Sequence, residues 1–213
     1  VATPYGLKAE DRWTAAAAQS GEGRARIALK LALAVVAVSV AAQLAVPIPG
    51  TPVPVSLQDL AVLAVGILLG PVQGAAAIVA YVVLGALGAP VFSDGHAGLA
   101  WLMGPTGGYL LAFPASAWVA GVAGRYARGG LGWAVLLGGI LAAQAVLFGG
   151  GVLQLALITR QGLSATAALA VVPFVPGIVV KTALLLTFGV LLDRRRRGAG
   201  GSRRPAEGPG AGS

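Results

Sequence analysis

Cysteine is missing from this 213-residue chain, and histidine occurs once, as His96. The first absence removes disulfides, thiolate metal ligands and cysteine nucleophiles; the second leaves no imidazole cluster to hold a metal. Charge is scarce too. Asp, Glu, Lys and Arg make up 10% of the residues, where a soluble domain carries about a quarter. The Gly-x-x-x-x-Gly-Lys-Ser/Thr pattern that cradles phosphates is also absent, so the chain carries no such loop for ATP hydrolysis.

What fills the chain instead is apolar, 57% of all residues, in recurring runs near the length that crosses a bilayer core as a helix. The pattern predicts an all-α integral membrane protein with six transmembrane helices, at about 26–46, 55–69, 72–89, 105–123, 131–159 and 177–192. Pro47, Pro49, Pro52 and Pro54 forbid continuation of the first helix. Gly70-Pro71 turns the chain between the second and third, and Pro173 and Pro176 break a short apolar piece ahead of the sixth. Residues 1–23 read as a cytoplasmic N-terminal arm with Trp13 at the interface; they lack the apolar core of a signal peptide. Residues 24–193 form the membrane domain. Residues 194–213, Arg-rich and then Gly-, Pro- and Ser-rich, read as a disordered basic tail beside anionic lipid.

The net charge of +8 suggests nucleic acid at first sight, but its placement argues for a membrane. Lys8, Arg12, Arg24, Arg26 and Lys30 precede or open the first helix. Arg125 and Arg128 lie between the fourth and fifth, and Arg194–Arg197, Arg203 and Arg204 follow the sixth. The positive-inside rule puts all of these, and both termini, in the cytoplasm. Only Arg160 falls on the other side. The irregular segments 47–54, 90–104 and 160–177 then face outward, where non-helical backbone is tolerated if it lines a cavity.

Lys181 stands inside the sixth helix, where a lysine costs about 2.5–3.5 kcal/mol on insertion scales unless it finds a cavity, a partner or the interface. Asp59, beside Gln58, is the only acid of the second helix; it either pairs with Lys181, binds a ligand donor or sits hydrated at the interface. Gln154 in the fifth helix is a ligand group or helix glue. Gly104-Pro105-Thr106-Gly107-Gly108-Tyr109 is a glycine-bare entry into a helix, with backbone N–H groups and a phenol open to a polar group. Asp94 and His96 read as solvated loop residues. The Gly149-Gly150-Gly151 run is a place for the fifth helix to kink. Small residues at four-residue spacing, Ala117/Gly121 and Ala120/Gly124, suit internal packing. Ala28/Ala32 and Ala37/Ala41 on the first helix suit internal packing as well, or else the docking of a partner membrane protein.

An intramembrane enzyme fits poorly. Gly162-Leu163-Ser164-Ala165 resembles the serine motif of rhomboid-type proteases only in part, and the single histidine lies in a loop. A structural membrane protein without a ligand remains as the alternative of a different class.

Four segments in order resemble the BioY-type biotin transport proteins, the substrate-capturing S components of energy-coupling factor (ECF) transporters. They are Val53-Pro54-Val55-Ser56-Leu57-Gln58; Leu69-Gly70-Pro71 leading to Tyr81–Phe92; Gly104–Leu110; and Pro173-Phe174-Val175-Pro176-Gly177 with Lys181. The resemblance covers residues 26–193. It implies six helices, an outward-facing biotin pocket and no cofactor. It also implies a coupling transmembrane protein, docked on the small-residue face of the first helix at Ala28 and Ala32, and two ATPase subunits. The substrate-binding residues it points to are Gln58, Asp59, Phe92, Ser93, Gly107, Gly108, Tyr109, Gln154 and Lys181. Two departures stand out: Ile178 replaces an acid of the family's last motif, and Gln154 falls where a tryptophan is common. Either Asp59 or Asp94 takes over the acid's role toward biotin, or the site has drifted to another small ligand.

Overall fold

The computed structural model describes residues 9–46, 50, 52–127 and 131–201, with side chains described from Gly23 to Arg195. Helix α1 (Ala9–Gln43) leads into a two-residue ribbon, β1 (Ala45–Val46) with β2 (Val55–Ser56). Helices α2 (Gln58–Leu69) and α3 (Pro71–Ala86) follow. A 3₁₀ turn at Ser93–Gly95 and the single-turn α4 (Leu99–Leu102) precede α5 (Gly107–Tyr126) and α6 (Gly132–Thr159). The chain ends in α7 (Leu163–Ala170), a 3₁₀ turn at Val172–Phe174 and α8 (Val175–Gly201). Apart from the ribbon, the described residues form an all-α fold.

Among the described residues, four helical stretches are long and apolar enough to cross a membrane: Gly23–Gln43, Gly107–Tyr126, Gly132–Thr159 and Leu163–Arg195. Helices α2 and α3 are shorter than expected. At 1.5 Å per residue they reach roughly 18 and 24 Å, against a hydrocarbon core of about 30 Å. The ribbon is the cause at one end. Ala45 pairs with Ser56 and Val46 with Val55, so the chain is extended where the first helix was expected to run to residue 46 and the second to start at 55. At the other end Gly88, with φ +107°, lies just past the last turn of α3.

Two expected boundaries shift outward. α1 runs unbroken from Ala9 through the glycines that read as a linker, so the arm and the first span share one helix. α8 continues past Leu192 to Gly201, because arginine is a good helix former and charge alone does not end a helix. The remainder of the expected disordered tail, 202–213, lies outside the described residues, as do Lys8, Arg128 and residues 47–49 and 51. α6 passes through Gly149-Gly150-Gly151 as one continuous helix.

α5 is the hub, packed on α2, α3 and α6. Its small face, with Ala117 and Ala120 fully buried, lets the neighbouring backbones come close, as the four-residue spacing predicts. A Cβ on Gly66 of α2 would overlap the carbonyl oxygen of Ala117, and one on Gly121 would lie 2.6 Å from the nitrogen of Pro71. The α2–Gly70–α3 hairpin is therefore pressed directly against α5. On α1, by contrast, Ala28, Ala32 and Ala37 are exposed while Val38 and Ala42 are buried, so only one side of that helix is covered.

Candidate functional site

The N-terminal ends of α2, α5 and α8 and the C-terminal half of α6 converge with the ribbon and the 90–106 segment around one cleft. The space between its walls, open mouth included, is about 540 Å³. Its apolar wall is largely aromatic: Phe92, Tyr109, Phe113, Phe148 and Phe174. Phe148 lies edge-on to Tyr109, with ring centres 5.8 Å apart, and 6.0 Å from Phe174, so the rings brace one another.

Into this apolar wall the fold sets one ion pair. Lys181 Nζ donates to Asp59 Oδ1 at 2.6 Å and to the carbonyl of Ser56 at 2.6 Å. The lysine side chain is 11% exposed and the aspartate 21%, so the pair is mostly shielded and far less weakened by solvent than a surface bridge. Of the alternatives open for Lys181, the structure places it against a partner in a cavity wall. The carbonyl is available because β2 ends at Ser56, where the backbone leaves the ribbon before α2 begins. Lys181 keeps a third N–H and Asp59 a second carboxylate oxygen.

Beside the pair lies Gln58, whose orientation follows from a chain of hydrogen bonds. The carbonyl of Val91 can only accept, so the Tyr81 hydroxyl donates to it at 2.9 Å. That hydroxyl in turn accepts from Gln58 Nε2 at 2.7 Å, and Gln58 Oε1 accepts from Ser93 Oγ at 3.1 Å. One backbone carbonyl thus fixes which end of the amide is which, leaving a Gln58 N–H for the cavity. Gln43 Nε2 donates to the Phe92 carbonyl at 3.0 Å, tying the end of α1 to the same loop.

Six of the nine substrate-site residues read from the sequence line the cleft: Gln58, Asp59, Phe92, Ser93, Tyr109 and Lys181. Tyr109 offers its ring, because its hydroxyl is already donating to the Ala170 carbonyl at 2.8 Å. The other three lie outside the lining. Gln154 donates to the carbonyls of Leu102 and Gly104, both at 2.8 Å, and so clips α6 to the entry of α5. Gly107 and Gly108 give the room this needs, Gly107 against the Leu102 carbonyl and Gly108 against that of Gly150. The glue role of Gln154 is the one the geometry supports. Asp94 is exposed in a left-handed conformation, φ +57°, and is not part of the lining. His96 is exposed as well, but its ring stacks on Trp101 with centres 3.7 Å apart and planes 9° apart. Ile178, at the departed acid position, packs against the apolar core. Among the described residues no three His, Cys, Asp or Glu side chains gather to hold a metal.

Val53, Pro54, Ser56, Thr106, Leu110 and Phe174 line the cleft and were named only within the family segments, while Trp101, Phe113, Leu147 and Phe148 also line it and were not singled out in the sequence. The aromatic ones carry no signal beyond apolar periodicity. Trp101 was hidden in a loop segment.

Residues 14–198 match the model of the BioY family. A protein of Pyrococcus horikoshii described as a probable biotin transporter BioY is 39% identical over 132 residues, covering 62% of this chain and 75% of its own length. The biotin transporter BioY of Rhodobacter capsulatus is 34% identical over 143 residues, covering 62% and 74%. Among solved structures, the S-component for biotin from an ECF-type ABC transporter superposes with a TM-score of 0.72 at 25% identity. That match covers 83% of this chain and 93% of the other. With the family model spanning most of its length, the chain belongs to the BioY family.

Proposed function

We propose that this protein captures biotin from outside the cell as the S component of an ECF-type transporter. The observation that carries this reading is the Lys181–Asp59 pair in the wall of an aromatic cleft. Biotin's ureido ring has two N–H donors and one carbonyl acceptor. The free carboxylate oxygen of Asp59 suits an N–H, and the third N–H of Lys181 suits the carbonyl. Asp59 thereby supplies the acid that Ile178 does not.

The placement of the basic residues supports an orientation. α1 runs toward the cleft from Arg24, Arg26 and Lys30; α5 and α8 start at the cleft and run to Arg125 and to Arg194 and Arg195. The cleft and the basic ends are therefore at opposite ends of the bundle. Under the positive-inside rule the cleft opens outward and both termini are cytoplasmic. In this reading α1, α2, α3, α5, α6 and α8 are the six transmembrane helices, with the short α2 and α3 completed by the ribbon and the 87–92 loop. No cofactor is needed, and the chain is a transport subunit and not an enzyme. The exposed small face at Ala28 and Ala32 receives the coupling transmembrane protein, and separate ATPase subunits supply the energy.

Radiolabelled biotin uptake in a biotin auxotroph, with thermal-shift titration of the purified protein, tests this function. Saturable uptake and stabilisation by biotin are expected; their absence sends the site to another small ligand. In the same titration Asp59→Asn should weaken biotin at least about tenfold, the loss of one charge-assisted hydrogen bond. Undiminished binding by that variant would take Asp59 out of the site.

A further inference from the structure

Two polar atoms in the cleft wall have no hydrogen-bond partner among the described residues: Trp101 Nε1 and Thr106 Oγ1, both buried. An indole N–H can only donate, so this one needs an acceptor from outside the protein, a water or an oxygen that a ligand brings in its place. It is also held in place. The His96 ring lies flat on the indole, and His96 Nδ1 is 2.7 Å from the Ser93 carbonyl. The Gln154 clip fixes Leu102, the next residue, and Gly104, two before Thr106.

The remaining charge in the lining cannot serve an anion well. Among the described residues that line the cleft, Lys181 and Asp59 are the only charged ones, and together they are neutral. A ligand with a carboxylate thus finds its counter-charge already cancelled at that pair and needs donors elsewhere. We propose that Trp101 Nε1 and Thr106 Oγ1 together receive the carboxylate of the ligand's tail. Trp101 thereby becomes a specificity-determining residue that favours the free acid over neutral derivatives. The inference rests on biotin, an acid, being the ligand.

The test compares biotin with biotinamide on the purified full chain, in wild type, Trp101→Phe and Thr106→Val. Phenylalanine keeps an aromatic face for His96 but has no N–H. Hydrogen bonds to a charged acceptor are roughly twice as strong as those to a neutral one, so the two ligands should respond differently. Wild type is expected to prefer biotin. Trp101→Phe should weaken biotin about tenfold and biotinamide less, narrowing the preference, and Thr106→Val should act in the same direction. The melting temperature of the ligand-free protein should fall only by what the smaller ring loses in packing against the core and His96, because the lost N–H made no bond there. Equal loss for both ligands, or no change for either, overturns the proposal while biotin binding by wild type leaves the function standing. A wild type that binds neither ligand overturns the function and this inference with it.

Discussion

Lys181→Ala is expected to abolish high-affinity biotin binding and to leave Asp59 as a shielded carboxylate without its cation. Removing one partner of a fully buried pair costs about 3–5 kcal/mol, and of a surface pair about 0–1. With 11% and 21% exposure the pair lies between these limits, so a loss of about 2 kcal/mol in stability is expected. Binding suffers separately. The lysine's third N–H is the donor proposed for the ureido carbonyl, and without Lys181 the anionic Asp59 repels that oxygen. A charged hydrogen bond is worth about 1.5–3 kcal/mol, and the repulsion adds to it, so a loss of about a hundredfold or more is expected by calorimetric titration. The double variant Lys181→Ala, Asp59→Ala separates the two effects. It should recover much of the melting temperature, since no lone charge remains, yet still fail to bind biotin. Binding restored in the double variant would show that the pair is a structural clasp and not a ligand contact.

Lys181 and Asp59 were legible in the sequence for the same reason that they matter: an ionisable group in an apolar run is expensive and demands an explanation. Their pairing was one of the alternatives open, because hydropathy does not say which faces of two helices meet. Gln154, Gly107 and Gly108 were drawn to the site by the same logic, polar or bare residues near the outer ends, and lie instead in the seam between α5 and α6. What distinguishes them is the backbone carbonyls of Leu102, Gly104 and Gly150, which no sequence pattern displays. Trp101 stayed hidden because the short helix holding it has no periodicity to read. The ribbon was equally invisible. Two pairs of residues across a proline-rich loop give no alternation, and so α2 was expected three residues early. At the other end of the chain, the arginine run was read as the point where order stops. Charge marks where a helix leaves the membrane, but an end needs a cap or a breaker, and α8 runs on to Gly201.

The second large effect is expected far from any ligand atom, at Gly66. Here the backbones of α2 and α5 touch: a Cβ would lie 3.0 Å from the carbonyl carbon of Ala117 and 3.1 Å from its Cα, overlapping the oxygen outright. None of these atoms can rotate away, unlike the end of a flexible side chain. α3 closes the other side, since a Cβ on Gly74 would meet the Cα of Gly66 at 2.9 Å. Gly66→Ala must therefore push α2 off α5, an overpacking cost expected near the upper end of about 1–3 kcal/mol. The displaced helix is the one that carries Gln58 and Asp59, two turns away on the same rigid rod. Biotin affinity should fall together with the melting temperature although every proposed contact residue is intact. Gly149→Ala is the matched control. Gly149 is exposed, with nothing within 4 Å of an added Cβ. The same substitution there gains up to about 1 kcal/mol of helix propensity and should leave binding unchanged. Equal melting temperatures for the two variants would mean that α2 and α5 do not meet as closely as the glycine implies, and that the cleft geometry does not depend on that contact.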